Sequence, residues 1–435
     1  MGNDRYNVIV VGAGPAGITA AYHCAQNNLS VALIERGEEP GSKNMFGGVI
    51  YRKPFAEIIP EFWEKAPLER TIIEDVLWFL DNNSVVKMGH SCLDFASSPY
   101  NKFTVIRSKF DKWYAQQAEN AGADLITSTL VEDIIKEKNG LFRNKVTGVM
   151  LENGDKIYAD IVIIAEGGIS NLVQKAELQG NLKPKDYELF VKELLALPEE
   201  KINERFNLEG EEGANIGIVG YPTSGIIGKA GIWTNKDTIS LNVGAYLNQL
   251  IDTGLNLTQL LSRVKEHPYI KRLLKGSESI EYLSHIIPKA GNENMPRLYD
   301  SGVLVIGDAL MNIGGEGTVL ALISGRYAAE TTRLAFAKRD FSADALSTYE
   351  KKLKNSSIMK DNLQATGENK YYQNYSDADL LLNSTLNNIA YEFFDYTMKS
   401  QKEKFQKIFE EINNLQPLDK TLIDFLKGIK NWRIL

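Results

Sequence analysis

The sequence predicts an α/β protein in which a parallel-sheet domain is interrupted by an antiparallel-sheet domain and followed by a helical C-terminal region. Residues 6–35 contain two short apolar runs on either side of a helical stretch, which is the pattern of a βαβ unit. Short apolar runs that can join the same sheet recur at 161–165 and 303–306. Between them, residues 171–295 hold alternating strand-like stretches that favour an inserted antiparallel sheet.

The composition limits the functions open to this chain of 435 residues. Its 49 lysine and arginine residues are outnumbered by 56 aspartate and glutamate residues, and the resulting formal net charge of −7 argues against a nucleic-acid partner. Cys24 and Cys92 are too few for a disulfide framework or a four-cysteine cluster, so we expect no metal site. Without a signal peptide or a membrane-length apolar run, the expected location is cytoplasmic.

The first organised unit predicts a dinucleotide-binding turn. Its predicted strands are Tyr6–Val11 and Leu29–Glu35, and its predicted helix is Pro15–Gln26. The turn between the first strand and the helix has the spacing G-x-G-x-x-G. In that spacing the glycines permit a tight turn, close approach of a pyrophosphate and close packing of helix on sheet. The residues concerned are Gly12, Gly14 and Gly17, with Pro15 and Ala16 opening the helix.

An acidic residue completes this unit at the end of the second strand. Glu35 stands where a carboxylate can accept hydrogen bonds from a ribose, and Arg36 follows it as a further candidate ligand. With both strands, the helix and the acid present, a dinucleotide site is favoured over a glycine-rich turn that only packs.

Two later segments suggest which dinucleotide is bound. The strand Val303–Ile306 runs directly into Gly307 and Asp308, and a glycine-rich turn then opens a helix near Gly317 and Thr318. An acid at a strand end can bind a sugar-alcohol chain, and a helix amino terminus favours negative charge on a reduced ring. The alternative for Asp308 is an ordinary turn residue at the end of a strand.

These segments together resemble the FAD-binding fold of p-hydroxybenzoate-hydroxylase-like and glutathione-reductase-like flavoproteins. The resemblance implies FAD as cofactor, with Asp308 at the ribitol and the strand Ile161–Ala165 returning to the FAD domain before Gly167. It also implies that Arg107, which precedes a predicted helix, points at the cofactor, although an ion pair with Asp111 is the alternative. The same resemblance places the backbone of Val131 at the adenine.

The stretch "PGSKNMFGGVIY" has no helical or strand period and reads as a loop. It closely resembles the flavin-lining loop of electron-transfer-flavoprotein:quinone oxidoreductase-like proteins, a group that includes FixC. The resemblance implies that Asn44, Gly47 and Gly48 line the flavin. Lys43 would then offset negative charge on the reduced flavin, whereas the alternative is a glycine turn with an exposed lysine.

The resemblance covers essentially the whole chain and carries a function with it. It implies that FAD accepts electrons from an electron-transfer flavoprotein and delivers them to a quinone-type acceptor. A separate ferredoxin-like iron–sulfur subunit would be needed, because this chain lacks the four cysteines. The alternatives are a geranylgeranyl-reductase-like enzyme that reduces isoprenoid double bonds and a non-catalytic FAD-bound docking subunit. No catalytic residue is predicted, since electron transfer needs no acid–base pair.

The predicted domain boundaries follow from these segments. Residues 1–170 and 296–340 form a discontinuous Rossmann-like FAD-binding domain, residues 171–295 form the substrate or acceptor domain, and residues 341–435 form the helical C-terminal region. In the last of these, Lys427, Lys430 and Arg433 lie among apolar residues of the tail. This pattern fits contact with a partner or with the inner face of a membrane, and an ordinary packed helix is the alternative.

Overall fold

The computed structural model describes residues 5–43, 47–139, 143–289, 294–311, 317–361, 378–395 and 400–432. Its strands are β1 Arg5–Val11, β2 Val31–Ile34, β3 Gly47–Tyr51, β4 Leu68–Leu80, β5 Val85–Ser91, β6 Lys102–Ile106, β7 Ala123–Ile126, β8 Val131–Asn139, β9 Arg143–Leu151, β10 Lys156–Ile164, β11 Tyr187–Ala196, β12 Glu212–Gly220, β13 Gly228–Thr234, β14 Thr238–Tyr246, β15 Glu278–Pro288, β16 Tyr299–Asp300 and β17 Val303–Val305. The α-helices within the described ranges are α1 Pro15–Gln26, α2 Arg52–Ala56, α3 Arg107–Asn120, α4 Asn171–Lys175, α5 Glu199–Phe206, α6 Leu247–Thr253, α7 Leu257–Glu266, α8 Pro268–Leu274, α9 Gly317–Lys338, α10 Ala343–Asn355, α11 Ala378–Phe394, α12 Gln401–Leu415 and α13 Leu418–Trp432.

The first sheet is the predicted parallel sheet. Its order is β16-β17-β10-β1-β2-β7, and the four contacts from β17 through β7 are parallel. The hairpin strands β8 and β9 extend it antiparallel to β10. Because β1 lies in the middle, its carboxyl end and the following glycine turn sit where neighbouring strand ends converge.

The second sheet is mainly antiparallel and has the order β15-β11-β14-β13-β12-β4-β6-β3, with β5 paired to β4. One of its faces packs on α5, α7 and α8 through an apolar core that includes Val191, Val243, Ile202, Leu260 and Ile270. Side chains alternate between the faces of a strand, so the other face is free to meet a different part of the molecule.

The predicted fold class is confirmed: an α/β FAD-binding fold, an antiparallel sheet and a helical C-terminus. The second sheet, however, draws on more of the chain than residues 171–295. Residues 47–106 supply β3 to β6, and β4 joins β12 in parallel over residues 71–80 and 212–220. The segment read as a loop therefore ends as an edge strand, since Gly47–Tyr51 pair with β6. The division into domains stays a prediction.

Two helices that are far apart in sequence cross directly beside the glycine turn. A Cβ on Gly325 of α9 would lie 2.4 Å from the carbonyl oxygen of Ala16 and 2.9 Å from Cβ of Thr19. Only glycine allows the two backbones this approach. The contact holds α9 against the amino-terminal half of α1.

A buried arginine joins several segments of the second sheet. Arg70 in β4 is 1% exposed. Its Nε donates to the carbonyl oxygen of Asn235 at 2.6 Å, and Nη1 donates to Oδ1 of Asn203 at 2.7 Å and to the carbonyl oxygen of Glu212 at 2.6 Å. A guanidinium with fixed donor directions thus connects β4 with α5, β12 and the β13–β14 turn.

The C-terminal helices cover one end of the second sheet. Asn387 of α11 donates from Nδ2 to the carbonyl oxygen of Phe79 at 3.0 Å and accepts at Oδ1 from the hydroxyl of Ser84 at 2.8 Å. On α13, Leu422 and Leu426 are 54% and 65% exposed. Within the described ranges, the structure contains no helix both long and apolar enough to cross a membrane. Arg433 of the predicted tail pattern lies outside those ranges.

Candidate cofactor site

The glycine turn is shaped by two contacts within the protein. Gly12 has a φ of +104°, and a Cβ at this position would lie 2.4 Å from the carbonyl oxygen of Ala165. A Cβ on Gly17 would lie 1.9 Å from the carbonyl oxygen of Gly12. The protein's own backbone therefore requires glycine at both positions.

Gly14 differs from the other two glycines. It precedes α1 in an extended conformation with φ −85°, which any residue can adopt. Apart from its chain neighbours, no described residue places a heavy atom within 4 Å of the position that its Cβ would take. The space beside Gly14 lies at the amino terminus of a 12-residue helix, where backbone N–H groups and the helix dipole favour a phosphate. The turn thus fits a pyrophosphate.

Glu35 links the end of β2 to this turn. Its Oε2 accepts the backbone N–H of Ala13 at 2.9 Å, and its Oε1 accepts that of Gly37 at 2.8 Å. Its own carbonyl oxygen accepts the N–H of Thr129 at 2.9 Å, which brings the start of β8, with the buried Val131, to the same edge of the sheet. The carboxylate therefore orders the turn and retains lone pairs for a ribose hydroxyl.

Arg107 is the first residue of α3 and forms the ion pair that was the alternative to a cofactor contact. Its Nε and Nη2 donate to the two carboxylate oxygens of Asp111 at 2.8 and 2.7 Å. Asp111 is fully buried, and burial raises its pKa while Arg107 opposes the rise. The paired guanidinium also interacts with Asp308, so it belongs to the predicted cofactor region. Direct contact between Arg107 and FAD stays a prediction.

Gly307 and Asp308 begin a short 3₁₀ turn after β17. Gly307 has a φ of +68°, and a Cβ there would come within 2.8 Å of Cβ of Ala16. The turn is therefore packed against the start of α1. Burial raises the pKa of the Asp308 carboxyl, and the positive charges of Arg107 and Lys289 oppose this. The helix α9, which begins with Gly317 and Thr318, follows this turn in the chain.

The loop after β2 is described up to Lys43 and again from Gly47. Lys43 lies in a turn and is exposed, and Asn44 lies outside the described residues. Before them, a Cβ on Gly41 would lie 2.6 Å from the carbonyl oxygen of Arg107, so the loop packs on the start of α3. Gly47 and Gly48 follow in β3, the last strand of the second sheet. The loop therefore leads from the end of β2 to the edge of the second sheet, where Gly47 pairs with Ile106 next to Arg107.

One acidic residue near the turn, Glu166, was not among the site residues predicted from the sequence. Glu166 follows β10, and its two carboxylate oxygens accept the N–H groups of Leu172 and Val173 at 2.9 Å each, which satisfies the start of α4. Gly167 comes next with a φ of +80°. An acid at a strand end before two glycines is the signal that indicates this turn in the sequence.

The second sheet brings positively charged side chains to the same region. Lys192 in β11 is 7% exposed, and its Nζ lies 5.0 Å from the ring centroid of Trp233 in β13. Its neighbour Val191 belongs to the core on the opposite face of the sheet. Burial, followed by the charges of Arg107 and Lys229, lowers the pKa of Lys192 well below its usual value.

The pKa of His285 in β15 is also lowered by nearby basic residues. Burial, Lys192, Arg107 and Arg36 together lower its pKa to about 4, so the imidazole is neutral at physiological pH. The residues that act on it come from the end of β2, the start of α3 and the middle of β11. The end of β15 also packs on the turn after β10, since a Cβ on Gly168 would lie 2.8 Å from Cδ of Pro288 and 3.1 Å from the carbonyl oxygen of Ile286. The site thus holds basic and acidic side chains and is bordered by the glycine turn.

Comparison with known proteins identifies the family. Residues 7–178 match the family described as FAD dependent oxidoreductase. FixC of Bradyrhizobium diazoefficiens is 40% identical over 366 residues, which cover 83% of this chain and 83% of that protein. The chain belongs to the FixC family of FAD-dependent oxidoreductases. A probable electron transfer flavoprotein-quinone oxidoreductase, YdiS of Escherichia coli K12, is 37% identical to this FixC-family chain over 83% of it and 84% of the relative.

A solved structure agrees with the fold of this FixC-family protein. It is a geranylgeranyl bacteriochlorophyll reductase-like protein from Thermoplasma acidophilum, with a TM-score of 0.70 over 94% of this chain and 99% of that one. At 21% identity, this similarity shows the shared fold alone. The match to the FAD dependent oxidoreductase family and the identity to FixC show that FAD is the cofactor of this FixC-family chain. When bound, FAD supplies a ring that accepts and releases electrons.

Replacing Glu35 by alanine is expected to weaken FAD binding about 10- to 100-fold. The change removes a carboxylate that orders the turn through Ala13 and is available to a ribose, and a hydrogen bond to a charged group contributes about 1.5–3 kcal/mol. Fluorescence titration of the apoprotein with FAD measures the change. Glu38→Ala, which alters an exposed residue of the same loop, serves as the control. Equal affinities for the two variants would contradict this role.

Proposed function

We propose that this chain accepts electrons from an electron-transfer flavoprotein on its FAD and passes them to a quinone-type acceptor. The observation that carries the proposal is the similarity to YdiS, because it extends over most of both chains and that relative's name describes this activity. The structure is compatible with it, since Arg107, Lys192 and Lys229 lie near one another, and basic groups suit a reaction in which a ring gains electrons.

The same proposal assigns the FAD ligands. The pyrophosphate would lie at Gly12, Gly14 and Gly17 with the start of α1, because the space beside Gly14 is open and a helix amino terminus borders it. The ribose would be held by Glu35. The remaining assignments place the adenine near Val131 and Arg36, the ribitol near Gly307 and Asp308, and the ring near Arg107, Gly167, Gly317, Thr318 and the loop from Lys43 to Gly48.

Further subunits follow from the proposed reaction. The chain has two cysteines, so an iron–sulfur cluster with four cysteine ligands would come from a separate ferredoxin-like subunit. The exposed Leu422 and Leu426 on α13 offer an apolar surface for a partner or for peripheral contact with the inner face of a membrane. Purifying the native complex and identifying its flavin and iron–sulfur subunits tests this arrangement.

The second candidate function is reduction of isoprenoid double bonds. The similarity in fold to a geranylgeranyl bacteriochlorophyll reductase-like protein favours it, but that similarity is one of fold. The third candidate, a non-catalytic docking subunit, is disfavoured because the chain belongs to a family of oxidoreductases. The two enzyme candidates differ in their electron donor, which allows a direct test.

Reduction of the bound FAD by NADH or NADPH is expected to be at least about tenfold slower than reduction by a reduced electron-transfer flavoprotein. The sequence contains a single G-x-G-x-x-G unit within a βαβ context, and FAD is expected to occupy it, so a second unit of this kind is lacking for NAD(P)H. Stopped-flow absorbance of the FAD-loaded protein measures both rates under anaerobic conditions.

The control in this experiment is a well-characterised NADPH-dependent flavoprotein reductase mixed with the same nucleotide solutions. Rapid bleaching of the present protein by NADPH would reject the proposed donor and favour the double-bond reductase. Rapid bleaching by the electron-transfer flavoprotein, followed by reoxidation on addition of a water-soluble quinone, would support both halves of the proposal.

A further inference from the structure

The sequence resemblance points to Lys43 as the lysine that balances charge on the reduced flavin, but the structure presents a second lysine with a different setting. Lys43 is exposed and lies in a turn. Lys192 is buried in the middle of β11, and its ammonium lies 5.0 Å from the centroid of the Trp233 ring. A charge in a buried setting is screened much less by water and salt than one at the surface.

Lys192 belongs to the same electrostatic neighbourhood as the predicted cofactor ligands. The charge of Arg107 lowers the pKa of Lys192 and opposes the rise in the pKa of Asp308, and the charge of Lys192 lowers the pKa of His285. The geometry agrees: β15 pairs with β11, with His285 opposite Phe190, and a Cβ on Gly168, in the turn after β10, would lie 3.1 Å from the carbonyl oxygen of Ile286. The positive charge of Arg107 is shared with Asp111 through two hydrogen bonds of 2.8 and 2.7 Å.

Burial and the nearby charges of Arg107 and Lys229 destabilise the ammonium form of Lys192, and this destabilisation lowers its pKa. Two electrons and one proton convert oxidised FAD into a reduced anion. A negative charge near Lys192 would offset the repulsion from Arg107 and Lys229. The ammonium is therefore stabilised more strongly when the flavin is reduced than when it is oxidised. Such a differential interaction shifts the oxidised–reduced equilibrium of a cofactor.

We infer that Lys192 raises the redox potential of the bound FAD by holding a positive charge in the region between the two sheets where the reduced flavin carries its negative charge. The aromatic face of Trp233 supports the ammonium, and β11 fixes its position as part of a nine-stranded sheet in the described residues. This inference rests on the presence of FAD and is independent of the proposed electron donor and acceptor.

The test compares the midpoint potentials of FAD-loaded wild-type protein, Lys192→Met and Lys192→Arg by spectroscopic dye equilibration with dithionite as reductant. For Lys192→Met, the preference for reduced over oxidised FAD is expected to fall at least tenfold, which for a two-electron couple is a downward shift of about 30 mV. Lys192→Arg retains the charge and is expected to recover most of that shift. Neither result depends on turnover with a partner protein.

Two controls separate this role from a general loss of charge. Lys201→Met removes an exposed lysine on α5, on the side of the sheet opposite Lys192, and is expected to leave the potential unchanged. Lys43→Ala measures the loop lysine in the same series. If Lys43→Ala lowers the potential and Lys192→Met does not, the inference is overturned in favour of the loop.

A variant that does not retain FAD is also informative. Lys192→Gln is prepared in parallel because its amide keeps a hydrogen-bond donor at this position without the positive charge. If Lys192→Met and Lys192→Gln both lose FAD while Lys192→Arg keeps it, the lysine serves binding of the oxidised cofactor and the inference is again overturned. FAD-loaded Lys192→Met and Lys192→Gln with a wild-type potential have the same consequence.

Discussion

Replacing Gly14 by aspartate is expected to raise the Kd for FAD about 100- to 1000-fold. Gly14 has an ordinary extended backbone, and the described structure leaves the space beside it open, so the fold itself accommodates a side chain. A carboxylate placed about 4 Å from a phosphate meets a repulsion of about 4 kcal/mol in a partly exposed site. Isothermal titration of the apoprotein with FAD gives the change in Kd.

Gly14→Asn is the matched control for this prediction. Asparagine has nearly the shape of aspartate but no charge, so its smaller effect isolates the steric part. Thermal unfolding of the apoproteins should give similar midpoints for wild type and both variants. If Gly14→Asp binds FAD as tightly as wild type does, the pyrophosphate does not lie at this turn.

Replacing Arg70 by methionine is expected to lower the free energy of unfolding by about 3–5 kcal/mol. Methionine fills a similar volume but leaves the buried carbonyl oxygens of Asn235 and Glu212 and the amide oxygen of Asn203 without the donor they now have. Removing one side of a buried charged network carries a cost of this size. Urea unfolding of the apoprotein, followed by tryptophan fluorescence, measures the loss.

The control for Arg70 is Arg272→Met, which removes the same charge from an exposed position on α8. Its effect should stay within about 0.5 kcal/mol, as for most surface changes. Similar unfolding curves for the two variants would show that the buried hydrogen bonds of Arg70 do not stabilise the second sheet.

Local patterns were sufficient to predict the cofactor-binding half of the fold. The helix Pro15–Gln26 has the predicted bounds, because proline at its first position and the glycine turn before it mark its start within the sequence. No local sequence pattern indicates that β4 pairs with β12. Asp75 in that strand accepts a hydrogen bond from Asn215, 140 residues further along the chain, so the contribution of residues 47–106 to the second sheet depends on tertiary pairing.

The candidate site was predictable to the extent that its residues belong to motifs. Gly12 and Gly17 make the close backbone contacts that the motif spacing indicates. The hydrogen bond from the N–H of Ala13 to Glu35 was not predicted, and the ribose contact of Glu35 stays a prediction. Lys192 has no motif of its own: it alternates with Val191 in a strand, and the sequence does not indicate which face of that strand meets the cofactor domain. That choice is made by the helices α5, α7 and α8, which cover the other face.

The crossing of α9 over α1 has a consequence for synthesis on the ribosome. Gly325 packs on the backbone of Ala16, so α1, which follows the glycine turn, gains its contact with α9 only when most of the chain has been made. At about 5–20 residues per second, the roughly 300 intervening residues take about 15–60 s to translate. Until then the nascent chain lacks the packing of α9 on α1. A polypeptide that ends before α9 never acquires this contact beside the glycine turn.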